Sequence, residues 1–554
     1  MTFAEDLKLI EDYQKEIITL GRISGLLNWD TQTFMPKKAH EERADQLSYM
    51  SSLIHEKMVD PRFCEAVNRL KDSDGLNSRQ KRIVQILFKE ISKSKKLPKE
   101  FVAELAKERS LSFNAWQKAR EEMDADIFLP RLAKMVELKK KEIEYRGYEG
   151  HPYNVFIDDY EEGMTVSKLD PVFEKLKKGL IELLGKIKES DNYKNQKKVL
   201  AVSGFDKDKQ IEFTNEIAKS LGLDSEFSRL DFSEHPFSTR LGLKDARITT
   251  NVRDDPMFSI GSTIHETGHA LYELGMPDEE NYTFLGESPS YGMHESQSRF
   301  WENMIGLGKP FWKHFFPKAK ELFDIDRSSI DPSTLPTRHL DSDIQPSLPP
   351  LDGQNQTDSP SLEGMDEQSL DVVDINTQSD EAMIDLWHKE INHVYPHYIR
   401  IESDEVHYCL HVILRYELEK GLMDGSISVD NIAEKWNEKM KEYFGLEVRN
   451  AKEGFMQDVH WSEGYFGYFP TYALGTIYAA QIYAKLVEEM EDVENEIASG
   501  GFDKIKDWLG EKIHKYGSMK MADDIITGVC GKGLDADDFL DYLNKKYGGL
   551  YGFS

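Results

Sequence analysis

The chain has 554 residues, 39% of them hydrophobic, with 70 Lys and Arg against 100 Asp and Glu for a net charge of −30. That apolar share supports a substantial core, while the acidity excludes broad docking onto nucleic acid, which needs Lys and Arg to dominate one face. Glu5 and Asp6 interrupt the first ten residues where a secretory signal would be basic and then apolar, and no run approaches the roughly 18 apolar residues of a membrane span.

Charged and apolar residues then recur at helical spacing over long stretches, from Leu7 to Leu27, Phe101 to Tyr145 and Val172 to Lys188. The fold class expected is mainly α, as a single large helical body. Strand-like alternation is sparse. Its best run, Ala246 to Val252, predicts a small β-sheet beside the segment that follows.

That segment reads His265, Glu266, Thr267, Gly268, His269. Four helical steps bring the second imidazole back to within about 40° of the first, so both can ligate one metal ion. Glu266 lies one residue beyond the first ligand, where its carboxylate can reach a water on that metal without ligating. Ile264, Leu271 and Leu274 add an apolar stripe, as a buried helix requires. Hydrolytic zinc uses three protein ligands and a water, so a third donor has to come from elsewhere. Glu295 is the leading candidate, with His294 and Glu287 as competitors. Ser298 to Met304 has helical character, so a second helix packed on the first would deliver Glu295.

From Ser328 to Asp380 the sequence has no aromatic residue, no Lys and only Arg338 as a strong base, among many Ser, Pro, Asp and Gln. Such a segment buries too little apolar surface to offset its ordering entropy, and residues 328–380 are expected to be a disordered acidic insert in one domain spanning 1–554. Helical patterning resumes near Glu381 with Met383, Ile384 and Trp387, and again from Ile477 to Ile497. Between them runs an aromatic segment with His460, Trp461, Tyr465, Phe466, Tyr468, Phe469 and Tyr472. Cys64, Cys409 and Cys530 are scattered, which suggests neither disulfides nor a cysteine metal site and fits a reducing, cytoplasmic setting.

Taken together these segments resemble the M32 metallocarboxypeptidases. His235-Pro236-Phe237 is similar to the family's His-Pro-Phe, and Asp245, Arg247 and Thr249 to its Asp-x-Arg-x-Thr. His294 to Gln297 is similar to its His-Glu-Ser-Gln; Ile399, Arg400 and Asp404 to its Ile-Arg-x-x-Ala-Asp; Gly467 to Tyr472 to its Gly-Tyr-Phe-Pro-Thr-Tyr. Leu27-Asn28-Trp29-Asp30 also has the family's look. Two departures stand out: Ser403 replaces the Ala before Asp404, and the acidic insert is foreign to the pattern.

The resemblance implies a gluzincin-like body with a deep active-site cleft that removes single C-terminal residues from peptides with a free C-terminus. It implies one divalent metal per chain, Zn with Co as the alternative, held by His265, His269 and Glu295, with Glu266 as general base and then acid. His460 and Tyr468 are the candidate oxyanion donors, in a segment similar to that of the angiotensin-converting enzyme relatives. Arg400 or Arg247 is expected to bind the substrate carboxylate, though acidic neighbours (Glu402 and Asp404, or Asp245) compete for each, and His235 is expected to line the cleft. A homodimer is implied, with no membrane or nucleic-acid partner. A zinc oligopeptidase or dipeptidyl carboxypeptidase is the rival enzyme, and a non-catalytic acidic helical interaction protein the rival of another class.

Overall fold

Helix-capping chemistry in the sequence marks where the elements start. In the computed structural model, which describes residues 2–196, 205–323 and 380–553, helices dominate and the one sheet has three strands. The first helix, Phe3–Thr33, opens with Thr2 and Glu5 in a reciprocal capping box. The predicted stretch Phe101 to Tyr145 is two helices, Lys99–Glu122 and Leu129–Arg146, because Met123 takes the left-handed region at φ 52° and ends the first. Ile477 to Ile497 divides likewise. The helix Phe469–Glu489 stops, and Asp492, at φ 52°, caps the short helix Val493–Ala498 through the backbone N–H of Asn495.

Strands β1 (Ser228–Phe232), β2 (Ser238–Gly242) and β3 (Asp245–Thr250) are ordered β1–β3–β2, with β1 parallel and β2 antiparallel to β3. β3 is the predicted strand, ending at Thr250 instead of Val252. The Thr250 hydroxyl ends the strand on the next helix, lying 2.8 Å from Ser262 Oγ and donating to the Ser259 carbonyl at 3.2 Å. This is the metal helix, Pro256–Leu274. It starts where the Asp255 carboxylate accepts from Met257 N and Pro256 occupies a position whose missing N–H costs nothing. Ile260, Ile264 and Leu271 are buried on its apolar stripe, each contributing about 1.5–3 kcal/mol.

The second helix of the site, Tyr291–Arg299, is capped by the Ser290 side chain and lies between the metal helix and the helix Phe469–Glu489. Two glycines permit that approach. A methyl on Gly268 would fall 2.6 Å from the Gln297 carbonyl oxygen, and one on Gly475 2.5 Å from Glu295 Cγ. Beyond Arg299 the chain continues as a π-helical turn, Phe300–Gly306.

Helix Asp380–Ile391 buries Met383, Ile384 and Trp387, where helical patterning was predicted to resume. The acidic insert expected at 328–380 lies, but for Asp380, outside the described residues. Most buried side chains form one core that includes the metal helix, while a smaller core joins Ile10, Phe63 and Leu87 of the N-terminal helices. No helix among the described residues is long and apolar enough to cross a membrane.

Candidate active site

His265 Nε2 and His269 Nε2 each lie 3.6 Å from Glu295 Oε2. Ligands 2.1 Å from a tetrahedral metal are separated by about 3.4 Å, so this triangle fits one divalent ion. The other nitrogens support that fit. His265 Nδ1 is 2.8 Å from Glu302 Oε2 and His269 Nδ1 3.1 Å from the His294 carbonyl oxygen, contacts that direct both Nε2 lone pairs at the common point. Glu295 is held in turn by Arg299 Nε, which donates to Oε1 at 2.7 Å, and by Ser298 Oγ, which donates to Oε2 at 3.1 Å.

Of the competing third donors, His294 stacks on His269 with its Nε2 3.3 Å from Glu273, and Glu287 pairs with Arg240. Neither belongs to the triangle, which alone among the described residues forms a metal-sized group. Burial lowers the His265 pKa, but the carboxylates of Glu295 and Glu302 outweigh it and raise the imidazole to about 9. His269, with burial reinforced by His294 and His265, is held well below the ordinary value. The buried Glu266 carboxyl is pushed up by burial to about 7, against the lowering pull of His265.

The aromatic segment supplies the neighbouring wall. Tyr468 packs edge-on against Tyr291, the first residue of the Glu295 helix, and against Tyr160 and Tyr472. Burial raises its hydroxyl far above the ordinary value, with Tyr472 and Glu295 adding to the effect, so the phenol stays protonated. His460 Nε2 lies 3.3 Å from the Tyr472 hydroxyl, and its Nδ1 is buried without a hydrogen-bond partner. Burial pushes this imidazole down to about 3, and Arg400 and Arg415 add to that against Asp458.

Arg400 is buried, and Asp458 is the carboxylate that holds it: Oδ1 accepts from Nε at 3.2 Å and from Nη2 at 2.9 Å. Its Nη1 donates to the Tyr408 hydroxyl. The predicted competitors bind elsewhere, Asp404 to His407 and Glu402 to His397. Arg247 does pair with Asp245, through Nε at 2.8 Å and Nη2 at 2.9 Å, and its guanidinium lies over the Trp29 ring. Phe237 packs on the same indole and bonds Thr249, so three of the sequence motifs meet there. His235 is exposed in the β1–β2 loop.

Glu302, Arg299, Asp458 and Arg415 were missed in the sequence. Glu302 had a signal, lying seven residues and so about two turns beyond Glu295 on one face. Asp458 had none, since it meets Arg400 and Arg415 only through the tertiary fold. A cavity of about 290 Å³ opens beside Arg299 and Glu302, bounded also by Gly261, Asn303, Asn392 and Glu402.

Paired imidazoles on a buried helix, closed by a carboxylate from a second helix, put the protein among the helical metallopeptidases. Comparison with known proteins narrows that class. The model of the Carboxypeptidase Taq (M32) metallopeptidase family matches residues 9–341 and 369–547. Carboxypeptidase 1 of Bacillus subtilis is 34% identical over 98% of this chain and 99% of its own, and Thermostable carboxypeptidase 1 of Thermus thermophilus is 34% identical over 98% of each. The solved structure of Trypanosoma cruzi metallocarboxypeptidase 1 superposes with a TM-score of 0.85 at 30% identity, covering 99% of this chain and 100% of that one. The chain belongs to the M32 family and is a peptide hydrolase of the metallocarboxypeptidase kind.

Proposed function

We propose that the protein is a zinc-dependent carboxypeptidase that releases single C-terminal amino acids from peptides. The observation that carries this reading is the convergence of His265 Nε2, His269 Nε2 and Glu295 Oε2 beside the buried Glu266 carboxylate. A divalent metal held by those three, zinc with cobalt as a substitute, would supply Lewis acidity to the scissile carbonyl and lower the pKa of a water.

Glu266 takes the proton of the attacking water on a carboxylate oxygen and returns it to the leaving amine nitrogen. A carboxyl whose pKa is raised toward neutrality suits both halves of that transfer. His460, kept neutral by burial, donates an N–H to the developing oxyanion, and Tyr468 donates its O–H.

The substrate's free carboxylate falls to arginine. Arg247 is the better placed, because its partly exposed guanidinium bonds Asp245 through Nε and Nη2, leaving Nη1 outside that pair. Arg400, buried against Asp458, is spent on holding that segment, and His235, exposed in the β1–β2 loop, is kept in this reading as a residue that lines the substrate cleft.

The reading includes one peptidase domain over 1–554 carrying the acidic insert; the family match on both sides of residues 342–368 supports it. It also includes a cytoplasmic homodimer, without membrane or nucleic-acid partners, whose mass sedimentation analysis would measure. The deciding assay offers metal-restored protein matched peptides with free and amidated C-termini. Loss of single residues from the free-ended peptide alone is expected. Equal cleavage of both would give an endopeptidase instead, release of dipeptides a dipeptidyl carboxypeptidase, and no cleavage the interaction protein.

A further inference from the structure

His460 and Tyr468 stand at the two ends of one loop, and a single buried carboxylate holds both ends. Glu419 lies on the helix Glu405–Asp424 and has no exposed surface. Its Oε1 accepts a hydrogen bond from Trp461 Nε1 at 2.7 Å, one residue after His460. Its Oε2 accepts from Gly467 N at 2.8 Å, one residue before Tyr468, and from the Tyr153 hydroxyl.

A carboxylate is suited to this task because it accepts at both oxygens, whereas an amide would turn N–H groups toward one of the loop's own donors. The arrangement carries a cost, since the three donors are neutral and burial pushes the Glu419 carboxyl up to about 7. The loop is pressed home on the Tyr153 side as well: Gly467 takes φ +87°, and a methyl there would fall 2.5 Å from the Phe156 carbonyl carbon. At the near end of the same segment Asp458, two residues before His460, is gripped by Arg400 and Arg415.

We propose that Glu419 is a positioning residue for the reaction, fixing His460 relative to Tyr468 through Trp461 and Gly467 without touching substrate. The proposal rests on the reading of those two side chains as oxyanion donors.

The test compares metal-loaded, full-length Glu419→Gln, Trp461→Phe and Tyr153→Phe by steady-state peptide hydrolysis, with metal content and melting temperature recorded. Glu419→Gln and Trp461→Phe are expected to lower kcat between about tenfold and about a hundredfold while leaving KM within about twofold, the signature of misplaced transition-state groups. Tyr153→Phe removes the one donor outside the loop and should leave kcat within about twofold. In a Tyr468→Phe background, Glu419→Gln should cost less than it does alone, because one group it positions is already gone.

Retention of kcat by Glu419→Gln and Trp461→Phe overturns the proposal, as does a Glu419→Gln loss that is undiminished by Tyr468→Phe. Should Glu419→Gln fail to fold, Trp461→Phe decides alone: it removes the indole N–H and keeps an aromatic ring, and the small cavity it opens beside Trp436 and Phe466 is read separately in the melting temperature, whereas misplacement of the loop is read in kcat at constant KM. If Tyr468→Phe and His460→Gln leave kcat unchanged, the oxyanion assignment itself falls. If those two lower kcat and the Glu419 and Trp461 variants do not, only the present inference falls.

Discussion

His265 Nδ1 lies 2.8 Å from Glu302 Oε2, so a metal-ligand candidate on one helix is steered by a carboxylate from the π-helical turn after another. Glu302 also accepts from Arg299 Nη1 at 3.2 Å, and Arg299 is the donor that holds Glu295. One carboxylate therefore orients two members of the triangle. Glu302→Ala is expected to lower metal affinity about 10–100-fold, measured by competition with a chromogenic chelator, with a smaller loss of kcat at saturating metal. Unchanged affinity would show that the metal is held without this support.

Glu266→Gln separates metal binding from proton transfer, because the amide fits the same buried space but takes up no proton. Peptide hydrolysis should fall by about 10²–10⁴-fold while metal content stays at that of the parent protein. Removing the metal with a chelator should abolish activity in the parent, and zinc or cobalt should restore it. A fully active Glu266→Gln protein would refute the proposed mechanism.

What the sequence made legible follows from distance along the chain. His265 and His269 could be paired because helical period alone places them together, and the strand before them because alternation is local. Glu295 is legible because a helix-forming stretch follows it soon after His269, with its motif in support, whereas the side chain of His294 competes with it in the sequence although its carbonyl oxygen makes the contact to His269. Backbone acceptors carry no residue signature. In the sequence Glu402 and Asp404 are the nearest counter-charges for Arg400, yet Asp404 caps the helix Glu405–Asp424 and bonds His407, and the carboxylate that holds Arg400 is 58 residues away. Only the fold brings Asp458 there.

Asp458 sits between two arginines, with Arg415 donating from Nε at 2.6 Å and Arg400 from Nη2 at 2.9 Å. Burial works to raise its carboxyl, but Arg415 and Arg400 outweigh that and hold it well below the usual carboxylate range. Asp458→Asn would leave two buried guanidinium groups without their counter-charge. A stability loss of about 3–5 kcal/mol is expected from denaturant unfolding. A loss near zero would mean that solvent reaches the pair in solution.

His514 joins the two site helices from behind. Its ring packs edge-on against Tyr272 of the metal helix, fills the space left by Gly275, and its Nε2 lies 3.1 Å from Gln297 Oε1 on the Glu295 helix. Burial pushes its pKa down to about 3. Between that value and the unfolded pKa of about 6.5 the unfolded chain binds a proton that the native state refuses. The stabilising contribution is therefore complete above about pH 6.5 and declines as the pH falls toward 3. Glutamine donates to the same Gln297 oxygen and does not titrate, so parent and His514→Gln should keep a constant stability difference between about pH 7 and 8. Below about pH 6.5 the parent should lose ground to the variant by up to about 1.4 kcal/mol per pH unit, read from urea unfolding at each pH. A difference that stays flat down to pH about 5 would mean that the native protein accepts the proton, opening the seam between the helices without cost.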